Sequence, residues 1–209
     1  GEVNTNDFTL EDMRRMFGDD AVCIMNNDQC QYTEVAKTWN EMVNQKMEWG
    51  HCLGMASTSL MFFRTLGAAN ENEPADFQPF AQTTHDLFLS LIRRYIAYNH
   101  VKQFANPVRA TIRDIGSKTP SEILEELAER LTSGAPDPPT LIVFQGRSGH
   151  AVTPYAIEDR GGEIFRIMVY DNNHPDDDHR FVEVNTDENT WSYNLGWQTW
   201  SGDENSKSF

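Results

Sequence analysis

The sequence predicts an α+β protein in two lobes, helices first and an antiparallel sheet after them. Three observations carry this prediction. Apolar residues recur at helical intervals to about residue 131, short β-like runs begin at Leu141, and a proline-rich stretch at 134–139 (Gly-Ala-Pro-Asp-Pro-Pro) separates the two patterns. The expected layout is one domain over residues 1–209, with a helical lobe at 1–134, a connection at 135–139 and a β lobe at 140–209. A chain of 209 residues is long enough to bury a substantial core.

In chain order, residues 8–17 put Leu10, Met13, Met16 and Phe17 on one face of a short helix. Residues 19–33 are polar and turn-rich, and read as a loop holding Cys23 and Cys30. Helical spacing returns over 35–47 through Val35, Trp39, Met42, Val43 and Met47. After a break at Trp49-Gly50, residues 52–66 are apolar over most of a helical surface, which predicts a central buried helix. An acidic loop at 71–78 with Pro74 precedes a long helix at 84–104, whose aromatic residues are expected in the core. Thr119-Pro120-Ser121-Glu122 is a capping box with proline at the first helical position; it opens a helix at 121–131 that Gly134 stops. Strands are expected at 141–144, 151–157, 164–170, 180–184 and 191–193, with a hairpin turn at Arg160-Gly161-Gly162.

Composition excludes several partners. Acidic residues outnumber basic ones 32 to 17, a net charge of −15, so neither nucleic acid nor an anionic membrane face is expected to bind. Hydrophobic residues at 39% and aromatics at 11% are too many for a disordered chain. No apolar run approaches the roughly 18–20 residues that span a bilayer, so membrane insertion is not expected. The chain opens on Gly1 without a leader pattern, and reads as a processed domain whose targeting segment lies outside it.

Three short motifs carry chemistry. In Trp49-Gly50-His51-Cys52-Leu53-Gly54-Met55-Ala56, a glycine turn delivers Cys52 to the first turn of a helix, where unpaired N–H groups and the macrodipole favour a thiolate. Gly54 is expected to clear space there for a substrate chain. The plainer reading is a buried cysteine packing as a small hydrophobe. Ser148-Gly149-His150-Ala151-Val152 opens a strand with a histidine, either structural or facing a cleft. Met168-Val169-Tyr170-Asp171-Asn172-Asn173 ends a strand in a carboxylate, which is either an Asx turn or a partner for that imidazole.

Cysteine at a helix start, histidine at a strand start and aspartate at the next strand's end resemble, in that order, the papain-like cysteine peptidases. The run Gly50-His51-Cys52-Leu53-Gly54-Met55 is similar to the secreted bacterial branch, staphopain-like and related domains. The place of Asp171 is similar to that in bacteriocin leader-processing peptidases. The resemblance covers roughly residues 35–175 and rests on three short motifs. It implies a papain-like two-lobe fold, with Cys52 as nucleophile, His150 as general base and then acid, and Asp171 as the orienting group, Asn172 or Asn173 being alternatives. The family also carries a glutamine about six residues before the cysteine as an oxyanion-hole donor. Here Gln45 lies seven before Cys52, with Asn44 one further, so Gln45 is the expected donor and Asn44 its alternative, beside the Cys52 backbone N–H. Trp191, Trp197 and Trp200 are candidates for the tryptophan that screens the triad in such enzymes.

The implied activity is a secreted thiol hydrolase cleaving peptide or protein substrates, with no metal or organic cofactor. A transglutaminase-like or amide-hydrolysing enzyme would share the residue roles, and a non-catalytic extracellular binding module would keep only the fold. Pairing Cys23 with Cys30 in a disulfide leaves Cys52 as the one free thiol, which fits export. Zinc on His51, His174 and His179, with Cys52 and His150, is disfavoured because neither a CxxC pair nor an HExxH helix is present. The oxygen-rich turn 171–178 suggests calcium but lacks EF-hand spacing. An acidic surface extending into a cleft would favour basic substrate side chains.

Overall fold

Thr9 caps the first helix of the computed structural model, which describes residues 7–63, 92–133 and 139–206. Asp12 N donates to Thr9 Oγ1 (3.2 Å) and Thr9 N donates to Asp12 Oδ2 (2.8 Å), a reciprocal box that opens α1 (Leu10–Phe17). A short α2 (Asp19–Val22) leads into a hairpin of β1 (Cys23–Asn26) and β2 (Gln29–Tyr32), where a loop was expected. Asn27 and Asp28 make its two-residue turn with φ of 49° and 63°, the left-handed values such turns require. Four-residue strands with little apolar alternation leave no strand signature. The Cys23–Cys30 disulfide staples this hairpin, with Cα atoms 5.1 Å apart.

Thr33 caps α3 (Glu34–Met47) by accepting from Ala36 N (3.1 Å). Its inward face is Ala36, Asn40, Val43, Asn44 and Met47, while Val35 and Met42 of the expected face are exposed. The shift has a polar cause: Phe8 is fully buried, and its backbone bonds to Asn40 and Asn44. Next come α4 (Cys52–Phe63) and α5 (Ile92–Val101), the latter running into a 3₁₀ turn at Lys102–Phe104. Residues 64–66, 71–78, 84–91 and the stop at Gly134 lie outside the described residues. An unexpected α6 (Asn106–Ile115) follows, with Pro107 in its first turn and no buried residue, although Val108, Ile112 and Ile115 do stand at helical spacing. The Thr119–Glu122 capping box then opens α7 (Pro120–Thr132) as expected.

The second half is a six-stranded antiparallel sheet in sequential order, β3 (Leu141–Gln145), β4 (Ser148–Gly161), β5 (Ile164–Tyr170), β6 (Phe181–Asn185), β7 (Thr190–Asn194) and β8 (Thr199–Asp203). β8 was not expected; it curls back beside β3, where Ser201 N donates to Gln145 Oε1 (3.2 Å). The register of β4 on β5 shifts between Pro154 and Ala156, where proline removes a ladder donor. Among the described residues, hydrophobic side chains form two separate cores. One joins Phe8, Val22, Val43, Met47 and Val101 among the helices. The other sets Leu124 and Leu127 of α7 against Val152, Ile167, Val184 and Trp191 of the sheet, so α7 belongs with the strands although it lies in the helical stretch of sequence.

α4 packs against both α5 and β4. A Cβ on Gly54 would stand 2.2 Å from the Ile96 carbonyl oxygen and 2.8 Å from His100 Cβ. Gly54 therefore lets α5 approach α4 and does not clear space for substrate, correcting that expectation. On the sheet side, Thr153 Oγ1 donates to the Ala56 carbonyl (3.4 Å). The molecule is thus α+β with two cores meeting across α4. No helix among the described residues is long and apolar enough to cross a membrane.

Candidate active site

Cys52 reaches the start of α4 because Gly50 takes φ +134°, a conformation open to glycine and strained for side chains. Met55 N donates to the His51 carbonyl (2.9 Å), closing the first turn and leaving the Cys52 N–H at the helix terminus. The Cys52 thiol is free and partly buried, close enough to His150 for the imidazole to favour its ionised form. Its Sγ also lies 3.9 Å from the Gly149 carbonyl oxygen.

His150 sits on β4 opposite Val143 and is 5% exposed. The pairing of Thr153 with Tyr170 brings Asp171, one residue beyond β5, alongside His150. His150 Nε2 lies 2.9 Å from Asp171 Oδ1, which leaves Nδ1 for the thiol. The expected Cys52, His150 and Asp171 therefore converge. Asp171, 1% exposed, holds the imidazole, while Asn172 turns to Met55 Sδ (3.3 Å) and Asn173 gives its backbone N–H to Asp171 Oδ1 (2.9 Å).

Two residues that sequence reasoning missed complete the group. The Tyr193 hydroxyl donates to Asp171 Oδ2 and accepts from Arg180 Nε (3.1 Å), and Arg180 Nε is itself 3.5 Å from Asp171 Oδ2. Arg180 was expected to open the strand 180–184 and Tyr193 to close the strand 191–193, with no role for either; a polar tip on a buried aromatic was the only available signal.

These contacts set the charge state. Burial opposes ionisation of Asp171, but hydrogen bonds from His150 and Tyr193, the His150 charge and the Asn173 N–H hold it at about 2. Burial also disfavours protonated His150, yet hydrogen bonds and charges from Asp171 and Cys52 push it up to about 9. Burial pushes the Cys52 thiol up; the His150 hydrogen bond, the Ala151 N–H, the His150 charge and the Leu53 N–H outweigh it and lower the thiol from its ordinary value. A thiolate–imidazolium pair is the form these contacts favour.

The expected oxyanion donors lie elsewhere. Gln45 is exposed on α3 and does not line the cleft. Asn44 is buried and spent on Phe8, accepting from its N–H (3.1 Å) and donating to its carbonyl (2.8 Å). Among the described residues, the backbone N–H of Cys52 at the α4 terminus is placed to meet a developing oxyanion.

The cleft over Cys52 and His150 encloses about 330 Å³, walled by Trp49, Met55, Ile96, Trp197 and Trp200. Trp191 is instead in the sheet core, so of the three expected candidates Trp197 and Trp200 flank the site. No carboxylate lines the cleft among the described residues; its ionisable walls are His51, Arg93, Cys52 and His150. Among the described residues the acidic surface does not reach it, so nothing there supports the expected preference for basic substrate side chains. Buried Asp7 braces this wall, pairing with Arg93 and lying 3.2 Å from His51 Nε2.

The histidines weighed for zinc point apart, with His51 on Asp7, His174 Nε2 3.0 Å from the Leu195 carbonyl and His179 at the surface. Among the described residues no group of three or more His, Cys, Asp or Glu side chains converges to hold a metal. In the 171–178 turn the Asp171 carboxylate faces inward, and Asp177 lies 3.6 Å from Arg180. No protein-family model, curated protein or solved structure matches this chain.

Proposed function

We propose that the chain is a thiol hydrolase, a cysteine peptidase on a papain-like two-lobe scaffold, working through Cys52, His150 and Asp171. The observation that carries this reading is one chain of contacts, from the Cys52 thiol at a helix start through His150 to buried Asp171, opening on a cleft. The Cys52 thiolate attacks the substrate carbonyl carbon, and the Cys52 N–H meets the oxyanion. His150 then gives its proton to the departing amine, leaving an acyl-thioester. Water, losing a proton to His150, attacks the thioester and releases the acid and the Cys52 thiolate, with the imidazolium restored beside it. The Cys23–Cys30 bridge supports an oxidising compartment as the place of action.

Iodoacetamide alkylation across pH tests the reading. Cys52 is expected to react quickly at pH 5–6 and to lose that reactivity in His150→Ala. Peptide libraries should be cut by the wild-type chain and left intact by Cys52→Ala. Incorporation of an amine in place of water would assign the same residues to acyl transfer. A Cys52 that reacts only near its ordinary pKa, with no turnover, would leave a binding module.

A further inference from the structure

Asp171 has two claimants. His150 Nε2 holds Oδ1 at 2.9 Å, and the Arg180 guanidinium stands 3.5 Å from Oδ2, both cations being deeply buried. In open competition the guanidinium wins, because it is always charged and grips a carboxylate with two parallel N–H bonds. Here it does not close. The Tyr193 hydroxyl stands between them, accepting from Arg180 Nε and donating to Asp171 Oδ2. The other guanidinium nitrogens are drawn outward, Nη2 to the Asn194 carbonyl and Nη1 towards Asp177. The Tyr193 ring is 1% exposed and stacked on His150 with centroids 6.2 Å apart, so packing fixes the hydroxyl in place.

We propose that Tyr193 is a positioning residue of this site: its hydroxyl occupies the second oxygen of Asp171 and keeps Arg180 from capturing the carboxylate, so that Asp171 stays on His150. The catalytic consequence rests on the thiol-hydrolase reading, whereas the placement of the carboxylate can be measured by itself. Without the hydroxyl, Arg180 moves onto Asp171, the imidazole loses part of its partner's charge, and His150 releases its proton at lower pH. The titratable and charged groups around the His150–Asp171 pair are Cys52 from α4, Tyr170 at the end of β5, Arg180 ahead of β6 and Tyr193 from β7, with Asp177 acting on Arg180. Changing only Tyr193 and Arg180 leaves the rest of that field in place.

The test is an NMR titration of isotope-labelled histidine in the full chain, run beside the pH dependence of Cys52 alkylation. Four proteins are compared: wild type, Tyr193→Phe, Arg180→Gln and the double variant. Tyr193→Phe is expected to lower the His150 midpoint by about one pH unit or more, bringing the alkaline limit of alkylation down with it. Adding Arg180→Gln should return the midpoint towards wild type, because the competing cation is gone. A midpoint unmoved by Tyr193→Phe, or a double variant that titrates like the single one, overturns the proposal. If Tyr193→Phe does not fold, Arg180→Gln alone decides: with the hydroxyl already holding Arg180 off, the His150 midpoint should stay close to wild type, and a rise of about one pH unit or more would show that Arg180 competes for Asp171 despite Tyr193. A wild-type Cys52 with an ordinary thiol pKa would defeat the thiol-hydrolase reading, yet the His150 midpoints would still report which cation Asp171 holds.

Discussion

Asp171 collects donors on both oxygens, His150 and Asn173 on Oδ1 and Tyr193 on Oδ2, and this satisfaction lets a carboxylate sit at 1% exposure. Its folded value of about 2 lies below the ordinary 3.8, so the sign is that of a depressed acid. The stability it contributes is fully present above about pH 4 and is lost as pH falls towards 2. Urea midpoints measured between pH 6 and pH 3 should fall for wild type and fall less steeply for Asp171→Asn. The same substitution removes the charge that raises His150. The pH window of the thiolate–imidazolium pair, bounded above by His150 at about 9, should then close from its alkaline side. With Asp171→Asn, kcat/KM on a cleaved peptide is expected to drop at least ~10-fold, most at the alkaline end.

At the scale of elements, Gly54 gives the sharpest test. Helix propensity alone makes Gly54→Ala stabilising by about 1 kcal/mol. The contact of an added Cβ with the Ile96 carbonyl, 2.2 Å away, reverses the sign. Denaturant unfolding should show a loss of about 1–3 kcal/mol, with α4 and α5 forced apart. The β1–β2 hairpin makes a separate prediction. Its disulfide closes a sequence separation of seven, so replacing Cys23 and Cys30 together by serine should cost about 2–3 kcal/mol while leaving the alkylation rate of Cys52 unchanged. These elements also mark how far the chain could be read in advance. α7 was legible because its capping box and periodicity agree, and the hairpin of β4 and β5 because two glycines punctuate alternating strands. β8 was not: Thr199-Trp200-Ser201-Gly202-Asp203 buries little beyond Trp200, and its place follows from closing the sheet near β3. The inward face of α3 was misjudged because Asn40 and Asn44, polar by composition, serve a buried backbone.

Over the whole molecule, a net charge of −15 surrounds a cleft with no carboxylate among its described walls. Its tryptophans, Met55 and Ile96 supply apolar surface, and its basic side chains are His51, Arg93 and His150. Peptides bearing a bulky neutral side chain beside the scissile bond should exceed those bearing lysine or arginine there by ~10-fold in kcat/KM, measured with a positional library. The three catalytic candidates were legible as separate motifs, each at the start or end of an element. Their convergence was not, because it depends on α4 meeting β4. The glutamine seven residues before Cys52 misled for a related reason: it turns to solvent, so spacing in sequence gave no reach in space.

The approach of Cys52 to Gly149 also orders events during folding. His150 and Asp171 are 21 residues apart on one hairpin, and Tyr193 joins Asp171 across 22, whereas Cys52 meets Gly149 across 97. Bringing distant residues together closes a larger loop at a greater entropy cost, so His150 is expected to pair with Asp171 before Cys52 docks. In a refolding chain, alkylation of Cys52 at pH 6 should stay slow until the two cores meet; fast alkylation from the outset would contradict that order.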